Sequence, residues 1–188
     1  IALIDIDHFK KVNDTYGHEY GDKLIQSGAA ILKKVWGSDY TYRIGGDEFA
    51  IICSDMKIEC AKERIQLYEE AVKVRKNSYS PYSKFKVGAA LLLDDNKIIT
   101  GTNVENSSYG LTMCAERNAL FTAIAQGYKK ENILAILVVA NTDGPCSPCG
   151  ACRQVISELM DKDADVILTN RKNDIKEFKV KDLLPFTF

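Results

Sequence analysis

Cys114-Ala115-Glu116 and, further along, Pro148-Cys149-Gly150-Ala151-Cys152 set three thiols and one carboxylate in an order that suits a zinc ion doing chemistry. Structural zinc sites are closed by four protein ligands, whereas three ligands leave one position open for water. Cys114, Cys149 and Cys152 are the candidate ligands. Glu116, two residues past the first ligand, is a carboxylate able to move a proton beside the metal. Three thiolates and Zn²⁺ sum to one negative charge, so a cation is expected nearby. Arg117 and Arg153 each directly follow a site residue, and either could donate to a sulfur. The only two histidines, His8 and His18, lie in a different part of the chain, so the expected site is all-thiolate. Two other readings of these cysteines stay open: a structural zinc ribbon closed by Cys146, and a redox Cys-x-x-Cys.

The elements that must hold these groups are legible as hydrophobic periodicity. Helices are expected from about Cys114 to Gln126 and from about Cys149 to Met160, which puts the ligands at helix starts. Helix N-termini carry partial positive charge and unpaired N–H groups, which stabilise thiolates. Strands are expected at Val87–Leu93, Lys97–Val104, Ile133–Asn141, Asp165–Thr169 and near Glu177–Val180, and a helix from Ile58 ends before Ser80-Pro81-Tyr82-Ser83. Strands alternating with helices predict an α/β fold with a sheet covered on both faces. Before Ser54 the pattern differs. An apolar run at Ile1–Ile6 is followed by a helix with Ile25, Ala29, Leu32 and Trp36 on one face, then by Tyr40–Ile44 and Phe49–Cys53 around Gly45-Gly46-Asp47-Glu48. The order there is β-α-β-β, a small core that is marginal alone.

With 188 residues the chain is long enough for one full domain plus a remainder. It starts with Ile1, as an internal fragment would. A formal net charge of −1 gives no basic footprint for a nucleic-acid backbone. No apolar run reaches the roughly 20 residues that span a membrane, and no signal peptide is visible. Three of the six cysteines crowd between 146 and 152, which reads as metal or redox chemistry in a reducing, cytoplasmic compartment and not as a disulfide scaffold. Cys53 and Cys60 read as inert thiols.

Residues 57–188 resemble the small homotetrameric cytidine deaminases along their whole length. Cys114-Ala-Glu-Arg-Asn-Ala, Pro148-Cys-Gly-Ala-Cys-Arg-Gln, Tyr79-Ser-Pro-Tyr-Ser-Lys-Phe-Lys-Val-Gly-Ala-Ala90, Asn103-Val-Glu-Asn-Ser-Ser-Tyr-Gly110 and Leu183-Leu-Pro carry the resemblance. It implies a three-layer α/β/α fold with a mixed sheet, Zn²⁺ on Cys114, Cys149 and Cys152, and Glu116 as proton shuttle. It further implies that Phe85 stacks on the base, that Asn103 and Glu105 hold the ribose hydroxyls, that Ala115 lines the substrate site, and that Arg117 offsets the thiolate charge. In this family the site is completed by neighbouring subunits, through the segment matching Ser107–Tyr109 and an aromatic near the C-terminus, here Phe186 or Phe188. Read from the residues alone, Phe85 is equally a core aromatic, and Asn103 and Glu105 are equally solvated residues at a strand end.

Residues 1 to about 54 resemble the central part of the GGDEF domain of diguanylate cyclases, through Ile4-Asp-Ile-Asp-His-Phe-Lys-Lys-Val-Asn-Asp-Thr-Tyr-Gly-His-Glu-Tyr-Gly-Asp22 and Arg43-Ile-Gly-Gly-Asp-Glu-Phe49. In that family the positions matching Asp5 and Asp47 hold Mg²⁺, and those matching Asn13 and Asp22 hold guanine. The opening helix, the elements after the hairpin and the Arg-x-x-Asp inhibitory motif are missing, the last replaced by Trp36-Gly-Ser-Asp39. The segment is therefore expected to be an inert appendage that covers its open sheet face on the deaminase or on another copy of itself.

The expected reaction is hydrolytic deamination of cytidine or deoxycytidine to uridine or deoxyuridine with release of ammonia, in pyrimidine salvage, by a homo-oligomer that binds neither nucleic acid nor membrane. Two alternatives stand beside it: deamination of a modified cytosine nucleoside, and a regulator in which the GGDEF remnant binds a guanine nucleotide and the deaminase part is scaffold.

Overall fold

The computed structural model describes residues 2–5, 9–36, 41–45, 48–51, 58–172 and 174–184. Contacts divide the chain after Ala61 into two compact units.

The first unit has β1 (Ala2–Asp5), α1 (Phe9–Tyr16), α2 (His18–Trp36), β2 (Thr41–Gly45) and β3 (Glu48–Ile51). The strands form an antiparallel sheet in the order β1-β3-β2, with a register shift between Arg43 and Gly45. The single helix expected between β1 and β2 is two helices. Gly17 separates them at φ +83°, and its N–H reaches the Asn13 carbonyl at 2.9 Å. That is a left-handed helix end, which glycine adopts without a Cβ clash. The sequence pattern for α2 holds where it is described, with Ile25 buried.

The second unit is built on five strands: β4 (Val87–Leu93), β5 (Ile98–Thr102), β6 (Ile133–Ala140), β7 (Asp165–Asn170) and β8 (Ile175–Lys179). Their order is β5-β4-β6-β7-β8, with β6 and β7 parallel and the other neighbours antiparallel. The helices are α3 (Ile58–Arg75), α4 (Ala115–Ala125), α5 (Gly150–Leu159) and the short α6 (Val180–Leu183). On one sheet face Ala89, Leu91, Ile136 and Val138 pack with Ala119, Leu120 and Ala123 of α4 and Ile156 of α5. On the other, Ala90, Leu92, Leu137 and Val139 pack with Leu67 and Ala71 of α3. This is the expected three-layer α/β/α arrangement with a mixed sheet. Strands β4 and β6 read as continuous apolar runs because both their faces are covered. Complete burial of Leu91 and Leu93 is worth about 2 kcal/mol each.

Two glycines set how closely the layers approach. A Cβ on Gly88 would lie 2.1 Å from the Ala71 carbonyl oxygen of α3. A Cβ on Gly101 would lie 2.3 Å from the Ala115 carbonyl oxygen and 2.5 Å from the Ala119 nitrogen. Gly101 thus lets the first turn of α4 sit directly on β5. Helix α6 and the short 3₁₀ turns at Tyr109–Leu111 and Lys130–Asn132 were not expected, being too short to show a period. In α6 the Lys179 N–H donates to Asp182 at 3.0 Å, closing a cap across one turn.

Candidate active site and metal centre

Cys114 and Cys149 each occupy the N-cap position of a helix, α4 and α5, with extended backbone (φ −80°, ψ 158° and φ −69°, ψ 167°) and no side-chain capping bond. Ser, Asp or Asn would cap better by about 1 kcal/mol, so each helix gives up local stability to present a sulfur. Cys152 follows in the first turn of α5, fully buried. The three sulfurs lie within 4.8 Å of one another, and among the described residues this is the cluster able to hold a metal. Cys114 Sγ and Cys149 Sγ are 3.9 Å apart. A tetrahedral zinc with Zn–S near 2.3 Å spaces its sulfurs by about 3.8 Å, so the donor set fits zinc in type and in reach.

The surroundings of Cys114 favour its thiolate. Arg117 donates through Nη2 to Cys114 Sγ at 3.5 Å and to the Thr112 carbonyl at 3.4 Å, while its buried Nε has no partner. Cys114 is held down to about 5, first by the hydrogen bond from Cys152 and then by Arg117 and Cys149. Cys152, on the other end of that bond and buried, is pushed up. Arg153 turns away from the sulfurs. Its Nε donates to the Pro148 carbonyl at 3.0 Å, Nη2 to Ser147 Oγ at 2.8 Å and Nη1 to the Leu183 carbonyl at 3.5 Å. Of the two arginines that follow site residues, Arg117 meets the Cys114 sulfur and Arg153 braces the loop leading into Cys149.

Glu116 is only 4 % exposed. Burial, and then the neighbouring Cys114 charge, push its carboxyl above the usual range. A buried carboxyl raised in this way holds its proton more firmly than an exposed one, which suits acid–base work. Cys146 stands outside the three-sulfur cluster. Burial, and then the charges of Glu116 and Cys114, raise it to about 11, which keeps it a neutral thiol. Three protein ligands without Cys146 would leave a bound zinc one open position.

The candidate substrate side is the loop before β4 and the segment after β5. Asn103 and Glu105 are both buried, which a solvated strand end would not be. Asn103 Oδ1 accepts from Ser78 Oγ at 2.6 Å and the Val87 N–H at 2.9 Å, and its Nδ2 donates to the Phe85 carbonyl at 2.8 Å. Glu105 Oε2 accepts the Tyr82 and Ser83 N–H groups at 2.9 and 3.2 Å, and Ser83 Oγ donates to its other oxygen. The Ser83 hydroxyl and these N–H groups hold the Glu105 carboxyl below its usual range. Phe85 is 42 % exposed, so it is not a core aromatic. Ala115 is fully buried on Gly101.

Comparison with known proteins matches this geometry to a named group. The sequence profile of the cytidine and deoxycytidylate deaminase zinc-binding region matches residues 61–168. The chain belongs to the cytidine and deoxycytidylate deaminase family. Cytidine deaminase of Halalkalibacterium halodurans is 52% identical over 126 residues, covering 67% of this chain and 94% of the relative. That of Sporosarcina psychrophila is 53% identical over 123 residues, covering 65% of this chain and 89% of the relative. The crystal structure of cytidine deaminase from Burkholderia pseudomallei superposes with a TM-score of 0.65 at 49% identity, over 71% of this chain and 100% of that one. The N-terminal part belongs to a second family as well: the profile of the GGDEF domain of diguanylate cyclases matches residues 1–100. A probable diguanylate cyclase of Escherichia coli is 31% identical over 131 residues, which is 69% of this chain but 28% of that protein. The GGDEF match runs past the expected boundary near residue 54 and overlaps the deaminase match, where β4 and β5 lie inside the five-stranded sheet.

The GGDEF positions are spread over the first unit. Asp5 ends β1 opposite Glu48, Asn13 lies on α1 with a buried Oδ1 that has no partner, Asp22 is exposed on α2, and Asp47 lies outside the described residues. Phe186, Phe188 and Cys53 lie outside them too. Within the deaminase unit, three supporting residues escaped sequence reasoning. Ser83 and Ser78 bond the candidate substrate residues. Asn170, fully buried at the end of β7, donates to the Thr142 carbonyl at 3.0 Å and to Asp174 at 2.9 Å, pinning the loop that leads from β6 to Cys149. Asn at the end of an apolar strand was the available signal for the last. No helix among the described residues is long and apolar enough to cross a membrane.

Proposed function

We propose that the chain is a zinc-dependent deaminase that converts cytidine or deoxycytidine and water to uridine or deoxyuridine and ammonia. The observation that carries this reading is the placement of three sulfurs at two helix starts beside a buried, proton-loving Glu116, in a chain 52% identical to a cytidine deaminase. Cys114, Cys149 and Cys152 would hold zinc, which when bound acts as a Lewis acid that brings the pKa of water to about 7. Glu116 would take one proton of the attacking water and pass it to the ring nitrogen, then take the second proton from the new C4 hydroxyl and pass it to the amino group; the C4–N bond breaks, the carbonyl forms and ammonia leaves, which is the general chemistry of zinc nucleobase deaminases. Arg117 offsets the single excess negative charge of the thiolate set.

Phe85 supplies a ring face to the base, Asn103 and Glu105 hold the sugar hydroxyls, and Ala115 lines the pocket beside the shuttle. Exposure of Phe85 and burial of the polar pair support these roles. The active form is a homotetramer whose sites are completed by the neighbour's Ser107–Tyr109 segment. Tyr79, Tyr82, Tyr109 and Leu111 offer it exposed apolar surface, Tyr109 at 75 % and Leu111 at 70 % exposure. A reducing compartment such as the cytoplasm suits thiols that must remain unbridged. The N-terminal unit, with three strands and two helices among the described residues before Ile58, is an inert appendage to this activity.

The test is metal analysis together with an ultraviolet assay of cytidine on the purified chain. One zinc per chain and uridine formation are expected. A zinc-loaded chain that leaves cytidine intact while deaminating another cytosine nucleoside would move the substrate, and a zinc-loaded chain inert toward all of them would overturn the reading.

A further inference from the structure

The residues proposed to hold the sugar and the residue proposed to hold the base are parts of one hydrogen-bond network, and Ser83 is its junction. The Ser83 hydroxyl donates to the Glu105 carboxylate and accepts the Phe85 N–H at 3.0 Å. The Phe85 carbonyl is held from the other side by Asn103 Nδ2 at 2.8 Å. Both backbone polar groups of Phe85 are therefore tied to the polar pair, one directly and one through Ser83.

Between Ser83 and Phe85 the chain does something it would not do freely. Lys84 sits at φ +59°, the left-handed region that a side chain disfavours. The N–H of Lys84 bonds back to the Ser80 carbonyl at 3.1 Å, and the Ser83 and Phe85 bonds clamp either side of it. Strain of this kind persists only where the surroundings over-determine it. What the turn achieves is to present Phe85, 42 % exposed, beside buried Asn103 and Glu105. Without the Ser83 hydroxyl the Phe85 N–H loses its partner in this turn, and one of the bonds that clamp Lys84 is gone.

We propose that Ser83 is a positioning residue of the nucleoside site: its hydroxyl links the Glu105 carboxylate to the Phe85 backbone, so that engagement of the sugar and placement of the base-stacking ring are coupled. The proposal rests on the assignment of Phe85 and Glu105 to substrate. Ser83 is not part of the three-sulfur cluster, and its hydroxyl bonds to Glu105 and the Phe85 N–H. Its loss weakens binding of ground state and transition state alike, which raises KM and leaves kcat in place.

The experiment is a double-mutant cycle on the full chain with cytidine, using Ser83→Ala, Phe85→Ala and the two combined, with Ser83→Thr as the conservative control. Removing one hydrogen bond of this kind is expected to raise KM about fivefold to tenfold with kcat nearly unchanged, and Ser83→Thr restores KM. In the Phe85→Ala background Ser83→Ala adds clearly less than it does in the parent, because the ring it positions is gone and only its bond to Glu105 remains to be lost. Additive effects of the two substitutions, or a fall in kcat at constant KM, would overturn the proposal while leaving the deaminase reading intact. A chain that deaminates cytidine but is indifferent to Phe85→Ala removes the base-stacking role and the proposal with it. A parent chain without cytidine deamination is the failure of the functional reading itself. Ser83 lies on an exposed loop, and a matched thermal midpoint confirms that each variant is folded.

Discussion

Arg117 stands 3.5 Å from the Cys114 sulfur through Nη2, one helical turn along from the ligand it serves. With zinc bound as proposed, the guanidinium would offset the one negative charge of three thiolates and a zinc ion, from the same helix that has Cys114 at its N-cap. Arg117→Gln keeps the shape and removes the charge. Zinc affinity is expected to fall about 10–100-fold, the usual cost of losing such an outer partner, as read by competition with a chromogenic chelator. Unchanged affinity would assign the compensation to the helix ends alone.

Glu116→Gln separates holding the metal from using it. The amide cannot carry the proton, so turnover is expected to drop by at least about 10²-fold to 10⁴-fold. Zinc content remains at the parent level, because Glu116 is no ligand in this geometry. A variant that keeps near-normal turnover would refute the shuttle.

Cys146→Ala discriminates between an open and a closed metal site. Cys146 lies outside the sulfur cluster and is raised to about 11. The variant is expected to keep its zinc and its rate in the same metal analysis and assay. Loss of metal would make Cys146 a fourth ligand and the site structural.

Much of this was readable in the chain before any coordinates. Val87–Leu93 was delimited correctly because a strand buried on both faces has no polar position to blur its ends. Cys114 and Cys149 were placed at helix starts by the apolar periodicity that follows each. What was not readable depends on partners far away in sequence. The split between α1 and α2 turns on the backbone angle of Gly17, which an otherwise helical pattern conceals. Arg153 looked like a second thiolate donor, yet its partners are the Pro148 carbonyl and the distant Leu183 carbonyl. Asn103 is a sugar-hydroxyl candidate by resemblance and could by its residues alone be a solvated strand end; its burial, with bonds to Ser78 and Val87 across a loop, was not readable from its neighbours in sequence.

Gly101→Ala and Gly88→Ala form a matched pair. Each Cβ would collide with helix backbone, α4 in the first case and α3 in the second, and overpacking of this kind costs about 1–3 kcal/mol or more. Both variants are expected to lose thermal stability. Only Gly101→Ala shifts the turn that carries Cys114 and Glu116, so only it loses kcat and zinc affinity. Equal catalytic damage from both would mean that the two layers are mechanically joined.

Glu105 supplies a pH signature. Its carboxyl is held below the unfolded value of about 4.3 by the hydroxyl and N–H donors around it. The fold therefore favours the ionised form, and the resulting stability is present above about pH 4.3 and fades as pH falls through the depressed folded value. The thermal midpoint of Glu105→Gln should lie below that of the parent at neutral pH, with the gap narrowing in acid. A gap that stays constant down to the lowest pH reached would show that the charge of Glu105 contributes nothing to the loop.

Two helices of this protein begin with a cysteine that makes no capping bond. Together they forgo about 2 kcal/mol of local stability, against a total of about 5–15 kcal/mol for a typical domain. A metal that joins both helix starts returns far more than that, since binding free energy at such sites is folding free energy. Zinc bound across both helix starts would therefore add to the stability of the deaminase unit, so that loss of the metal would cost folded chain as well as catalytic turnover.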